Sequence, residues 1–104
     1  MLIRLVRMTF RPDRLADFLR LFDETAPHIR AAPGCLHLEL WQDLRYSNIL
    51  TTHSHWASEE DLEAYRDSAL FRATWARTRP LFAAPPQAFS HVVARAAISA
   101  ASGV

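Results

Sequence analysis

Two short stretches of the chain carry groups capable of chemistry at alternating positions: His37 and Glu39 in the first, Thr52, His53, Ser54 and His55 in the second, with Trp56 closing it. Imidazoles move protons near neutral pH, and imidazole with carboxylate also suits zinc or iron. Paired as antiparallel strands with His37 facing His55 and Glu39 facing His53, the four would form one cluster. Their spacing matches no metal-binding motif, so no metal is expected, and paired or solvated strand histidines account for the group. Alternation sends Thr52, Ser54 and Trp56 to the opposite face. Further along, Tyr65, Phe71 and Trp75 add three rings in a region of helical pattern.

Composition removes several other chemistries. All 12 basic residues are arginine, which excludes Schiff bases, lysine-bound pyridoxal phosphate and a Walker lysine. With two glycines in 104 residues, Gly34 and Gly103, no phosphate-cradling loop can be written. The net charge is +1 and the arginines are scattered among carboxylates, so no nucleic-acid partner is indicated. Cys35 is the one cysteine and has no intramolecular partner; after Pro33-Gly34 at a strand start it reads as a small buried hydrophobe. No stretch reads as a membrane span or a secretory signal, and a cytoplasmic location without membrane contact is the expectation.

The elements that would position these groups follow from periodicity. Residues 2 to 10 are branched and aromatic and stop at Arg11-Pro12, a first strand. Pro12 opens a helix in which Leu15, Phe18, Leu19 and Phe22 recur at helical spacing, continued by Ala26 and Ile29, with a break or kink expected at Pro27. Residues 35 to 42 form a second strand with Leu36, Leu38 and Leu40 on one face. A polar turn, Asp43 to Asn48, returns the chain as a third strand over 49 to 56. Ser58 and Asp61 have capping-box spacing for a helical region to about Arg79, interrupted near Ser68. Pro85-Pro86 leads to a last strand, about Gln87 to Arg95, and residues 96–104 read as a tail behind a single domain over 1–95.

The order βαββαβ predicts an α+β, ferredoxin-like fold: a four-stranded antiparallel sheet with helices on one face. The other face would carry Ile3, Leu5, Trp41, Ile49, Phe89 and Val93, too apolar to leave wet. A homodimer packed sheet against sheet, a dimeric α+β barrel, is therefore expected.

At this point the chain resembles the antibiotic biosynthesis monooxygenase family over about residues 2 to 95. The resemblance rests on the strand Leu2-Ile-Arg-Leu-Val, on Pro33-Gly34-Cys35, on Thr52-x-Ser54-x-Trp56, and on Tyr65-Arg66-x-Ser68-x-x-Phe71. It implies a dimeric α+β barrel, a scaffold associated with cofactor-free oxidation of quinols and polyketide anthrones and with haem degradation. Haem degraders of this group typically have a pocket asparagine on the first strand and a histidine ligand on the second helix; Val6 and Trp75 stand at those places, and neither can serve. In the polyketide oxygenases an asparagine four residues before the strand-three tryptophan helps hold substrate, and Thr52 has that spacing here.

The activity so implied is cofactor-independent monooxygenation of a small quinol, polycyclic phenol or anthrone by molecular oxygen. Triplet oxygen needs an electron-rich anion as its partner, and phenols ionise near pH 10, so a modest shift is enough. Trp56, Tyr65 and Trp75 are the catalytic candidates from the aromatic set, with His53 (or His55) as a proton relay at the pocket mouth. Val6, Met8, Leu38, Thr52, Ser54 and Phe71 would line the substrate pocket and Phe82 would form its rim; Arg66, Arg72, Arg77 and Arg79 read as a solvated helix face, one of which, best Arg72, could instead touch an anionic substrate. Ordinary core packing accounts for the apolar members equally well. His28 and His91 read as structural. The alternative from another class is a non-catalytic dimeric module that binds a small aromatic; a haem- or metal-dependent oxygenase is the third reading.

Overall fold

The computed structural model describes residues 1–97 of the chain. Four strands, β1 (Leu2–Thr9), β2 (Cys35–Gln42), β3 (Ile49–Trp56) and β4 (Gln87–His91), form one antiparallel sheet in the order β2-β3-β1-β4. Three helices, α1 (Leu15–Arg30), α2 (Glu59–Arg66) and α3 (Ala69–Thr78), complete the ferredoxin-like α+β fold. The β2–β3 hairpin is set by Asp43, whose carboxylate accepts from the backbone N–H groups of Arg45 and Tyr46 at 3.0 and 2.9 Å. Ser58 and Ser68 cap α2 and α3 by accepting from the N–H groups of Asp61 and Phe71, each at 3.1 Å. Only the hydroxyl half of the expected capping box forms; the Asp61 carboxylate instead packs over Gly34, whose φ of +81° turns the chain into β2.

Three details differ from the sequence expectation. Helix α1 runs through Pro27 without a break. The N–H missing at Pro27 would have met the Asp23 carbonyl on the exposed side of the helix, where water can replace it, while Thr25 and Ile29 hold the buried side. Leu36 does not face the helices: a bulge between Cys35 and His37 leaves it 48% exposed and turns Cys35 inward against Trp56. β4 ends at His91, paired with Ile3, because β1 has almost no residues left to pair with Val92 to Arg95. Residues 96–97 carry no regular structure, and the rest of the expected tail lies outside the described residues.

The core is divided. Met8, Phe10, Phe18, Leu21, Leu50 and Leu81 form one cluster at the end of the sheet next to the hairpin turn. Cys35, Trp56 and Leu62 form a smaller one at the other end. Between them the inward side chains of β1 and β3 meet helices that stand away from the sheet, and this gap becomes a cavity.

Candidate functional site

The cavity has a volume of about 340 Å³, within the range of small-molecule sites. Its floor is the helix-facing side of the sheet: Arg4, Val6 and Met8 from β1, Leu38 from β2, and Thr52, Ser54 and Trp56 from β3. The period of two puts these residues on one face, and the register sets Arg4 opposite Ser54 and Val6 opposite Thr52. Its roof is Tyr65, Phe71 and Trp75 from α2 and α3 and the inward residues of α1. All nine pocket residues anticipated from the strands and aromatics therefore meet in one space.

The rings form a continuous series. Trp56 stacks on Tyr65 at 5.0 Å, Tyr65 meets Phe71 edge-on at 5.3 Å, and Phe71 stacks on Trp75 at 5.9 Å. Phe82 continues the series from Trp75 to the buried Phe10, so it packs on the core and is not the cavity rim. Trp56 is 1% exposed and its indole N–H donates to the Ser54 hydroxyl at 3.0 Å. It gives the cavity a ring face and no free donor. Tyr65 differs: burial, and to a lesser extent Cys35, pushes its phenol up to about 12. It is a proton-bearing hydrogen-bond donor at neutral pH, not a base.

The charged part of the lining is cationic. Arg4, Arg66 and Arg79 reach the cavity, and its lining contains no His, Cys, Asp or Glu among the described residues. Arg4 donates to Ser90 of β4 at 3.0 Å, and burial together with neighbouring Arg66 lowers its pKa. Arg66 and Arg79 belong to the arginine set read from the sequence as a solvated helix face, from which Arg72 and not these two was favoured for substrate; Arg4 was not identified. Arg4 could have been, since it shares parity with Val6 and Met8, whereas Arg66 and Arg79 depend on how α2 and the turn after α3 dock.

Two anticipated site residues lie elsewhere. Arg72, one position beyond Phe71 on α3, points to solvent and donates to the Asp67 carbonyl. His53 is on the sheet face opposite the cavity, as its parity in β3 requires, and a proton relay at the cavity mouth does not fit that position. His55 shares the same face. There the pairing of His37 with His55 and of Glu39 with His53 is observed. Glu39 Oε1 lies 3.0 Å from His37 Nε2, 3.1 Å from His53 Nδ1 and 3.2 Å from Trp41 Nε1. Hydrogen bonds from His37, then His53 and Trp41, hold its carboxyl at about 2. Burial, and then His53 and His37, lower the pKa of His55.

This fold, with helices on one face of a four-stranded sheet, recurs in known proteins. The antibiotic biosynthesis monooxygenase profile matches residues 1–77. The chain belongs to the antibiotic biosynthesis monooxygenase family. Among solved structures, one described as an antibiotic biosynthesis monooxygenase superposes with a TM-score of 0.85 at 16% identity, covering 91% of this chain and 100% of that one. Rv0793 from Mycobacterium tuberculosis gives 0.84 at 21% identity, covering 93% and 98%. PA3566 from Pseudomonas aeruginosa gives 0.80 at 19%, covering 90% and 94%. At these identities the structural likeness establishes the shared fold alone. No curated protein matches the chain. The matched segment contains every cavity residue named above except Arg79; Thr78, Pro86 and Ala88, which also line the cavity, follow it.

Proposed function

We propose that this protein is a cofactor-independent monooxygenase that oxidises a small quinol or a polycyclic phenol or anthrone with molecular oxygen. One observation carries the reading: an aromatic cavity of about 340 Å³ whose ionisable lining consists of guanidinium groups and one protonated phenol. Guanidinium groups beside a dry cavity favour the anionic form of a bound phenol, so the substrate's own ionisation supplies the electron-rich species that oxygen needs. Arg4 and Arg66 hold the phenolate, the stacked rings of Trp56, Tyr65, Phe71 and Trp75 hold its plane, and the Tyr65 hydroxyl donates to the reduced oxygen species. Electrons balance within the substrate. An anthrone methylene gives both hydrogens to water, one oxygen atom becomes the new carbonyl and the other leaves in that water. Thr52 and Ser54 orient polar substituents from the floor, and Val6, Met8 and Leu38 exclude water.

The protein acts as a homodimer in this reading, with a second copy of the chain on the uncovered sheet face. Ile3, Leu5 and Ile49 on that face are half-buried in the protomer, while Trp41 and Phe89 are 45% and 48% exposed. A dimer mass by light scattering at micromolar concentration is expected; a monomer would refute it. No helix among the described residues is long and apolar enough to cross a membrane, and a cytoplasmic setting is part of the proposal.

The deciding experiment is oxygen consumption by chelator-treated protein with a panel of hydroquinones, anthrones and flavonols, beside Trp75→Ala and an enzyme-free blank. Uptake that scales with protein and falls in the variant supports the oxygenase. Ligand-induced thermal stabilisation without uptake would favour the second reading, a non-catalytic module binding small aromatics, which the lack of an acidic or imidazole base in the cavity also fits.

A further inference from the structure

The group on the far face of the sheet is not used by this chemistry, and its geometry has a meaning of its own. His37, Glu39 and His53 each offer one ligand atom, and these atoms lie within 4.8 Å of one another. Two donors on one tetrahedral zinc at the usual bond lengths of about 2.0–2.2 Å stand about 3.3–3.6 Å apart. The Glu39 Oε1 separations from His37 Nε2 and His53 Nδ1, 3.0 and 3.1 Å, are hydrogen-bond contacts that need widen by only about half an ångström to admit an ion. We propose that His37 Nε2, Glu39 Oε1 and His53 Nδ1 form a binding site for a divalent transition-metal ion of the zinc class.

The backbone explains why three donors converge. His37 and Glu39 are two residues apart on β2, so both project from the same face, and Glu39 pairs directly with His53 across the β2–β3 ladder. Two imidazoles and one carboxylate suit zinc and its first-row neighbours and leave a coordination position open for water. Neighbouring groups fix the ligands. His55 Nε2 lies 2.9 Å from His53 Nε2, so one of these nitrogens carries a proton and the other accepts it. In the metal-free chain His53 Nδ1 donates to Glu39 and His53 Nε2 accepts from His55; an ion would replace the Nδ1 proton, and the ring would then donate from Nε2 to His55, the outer partner that metal-bound histidines typically have. Trp41 packs over the His53 ring at 4.4 Å and donates to Glu39 Oε1. His55 and Trp41 are thus positioning residues.

Within the protomer, access does not require opening the fold. β2 is an edge strand, and the side chains of His37 and Glu39 are 41% and 50% exposed. The site and the aromatic cavity lie on opposite faces of the sheet, so bound metal would tie β2 to β3 without entering the cavity. The site does not depend on the chemistry proposed for the cavity, but it lies on the sheet face assigned above to the second copy.

The test uses the untagged full-length chain, metal-free, titrated with Zn²⁺ by calorimetry and with Co²⁺ by visible ligand-field absorbance. A single Zn²⁺ per chain is expected, and Co²⁺ should give a band that Zn²⁺ displaces. Glu39→Gln and His37→Gln, both at exposed side chains, should each weaken binding by more than about a hundredfold, and His55→Ala by about ten- to a hundredfold as an outer partner. His28→Ala and His91→Ala should bind as the parent does. Circular dichroism of each metal-free variant reports folding, and Glu39→Gln, nearly isosteric, keeps the test valid if a histidine variant misfolds. No saturable binding by the parent at millimolar Zn²⁺ would overturn the proposal. So would binding that survives both Glu39→Gln and His37→Gln, or that is lost equally with His28 or His91.

Discussion

Replacing Ser54 by alanine should destabilise the protein far more than the loss of one hydroxyl suggests. The Trp56 indole is 1% exposed and its N–H donates to Ser54 Oγ at 3.0 Å; Ser54 itself is 6% exposed. In Ser54→Ala the Cβ remains and little apolar contact is lost, but a buried donor is left without an acceptor. That penalty is about 1–3 kcal/mol. For a domain of this size each kcal/mol moves the melting temperature by about 4–8 °C, so a fall of at least about 4 °C is expected. Trp56→Phe provides the control, because it removes the donor and leaves Ser54 free to rotate its hydroxyl toward another acceptor. Its own cost, on the order of 2 kcal/mol or more, comes from lost ring volume. In the Trp56→Phe background Ser54→Ala should then cost less than about 0.5 kcal/mol, giving a coupling of at least about 0.5 kcal/mol. Urea unfolding of the four proteins, with unchanged slopes, measures this directly. Equal costs of Ser54→Ala in both backgrounds would mean that the indole N–H has another partner, and Trp56 would again be free to act as a donor in the cavity.

The other expectations concern the cavity and its supports. Arg66→Gln should raise KM for a quinol in oxygen-uptake assays by about ten- to a hundredfold, the worth of one charge-assisted hydrogen bond, with partial recovery in Arg66→Lys; an unchanged KM would remove Arg66 from substrate binding. Tyr65 is pushed up to about 12 from 10.0, so the folded protein keeps a proton that the unfolded chain releases first. Its contribution is intact below pH 10 and is lost between about pH 10 and pH 12, a loss on the order of 2–3 kcal/mol. Unfolding curves across that window should differ between the parent and Tyr65→Phe, and parallel loss in both would contradict the assignment. Gly34→Ala should cost about 1–3 kcal/mol, because φ is +81° and the added methyl would meet the Asp61 carboxylate at 2.3 Å. The double variant with Asp61→Ala should recover only the part due to the clash, as chemical denaturation would reveal.

Much of the cavity was legible because period-two alternation fixes faces without reference to the rest of the fold. Val6 and Met8, like Thr52, Ser54 and Trp56, line the floor for that reason, and the same parity put His37, Glu39, His53 and His55 together on the far side. Where alternation is interrupted the reading failed: the bulge at Leu36 could not be anticipated from a run of Leu-x-Leu-x-Leu, since one extra residue reverses the parity of everything before it. Arg72 illustrates a different limit. Helical spacing places it beside Phe71 and Trp75 in sequence, but the docking angle of α3 decides which of its faces meets the sheet.

Local chemistry in the sequence therefore determined the element order, the serine caps on α2 and α3, the Asp43 turn and, outside the bulge at Cys35 and Leu36, the side of the sheet on which each strand residue lies, because all of these depend on neighbours within a few residues or on a fixed period. Tertiary structure alone decided that α1 continues through Pro27, that Arg4, Arg66 and Arg79 converge on one cavity, that Tyr65 keeps its proton, and that three ligand atoms gather within 4.8 Å on the opposite face. Those outcomes depend on the distances between elements remote in the chain and on the water that their packing excludes, and neither quantity is written in any single stretch of residues.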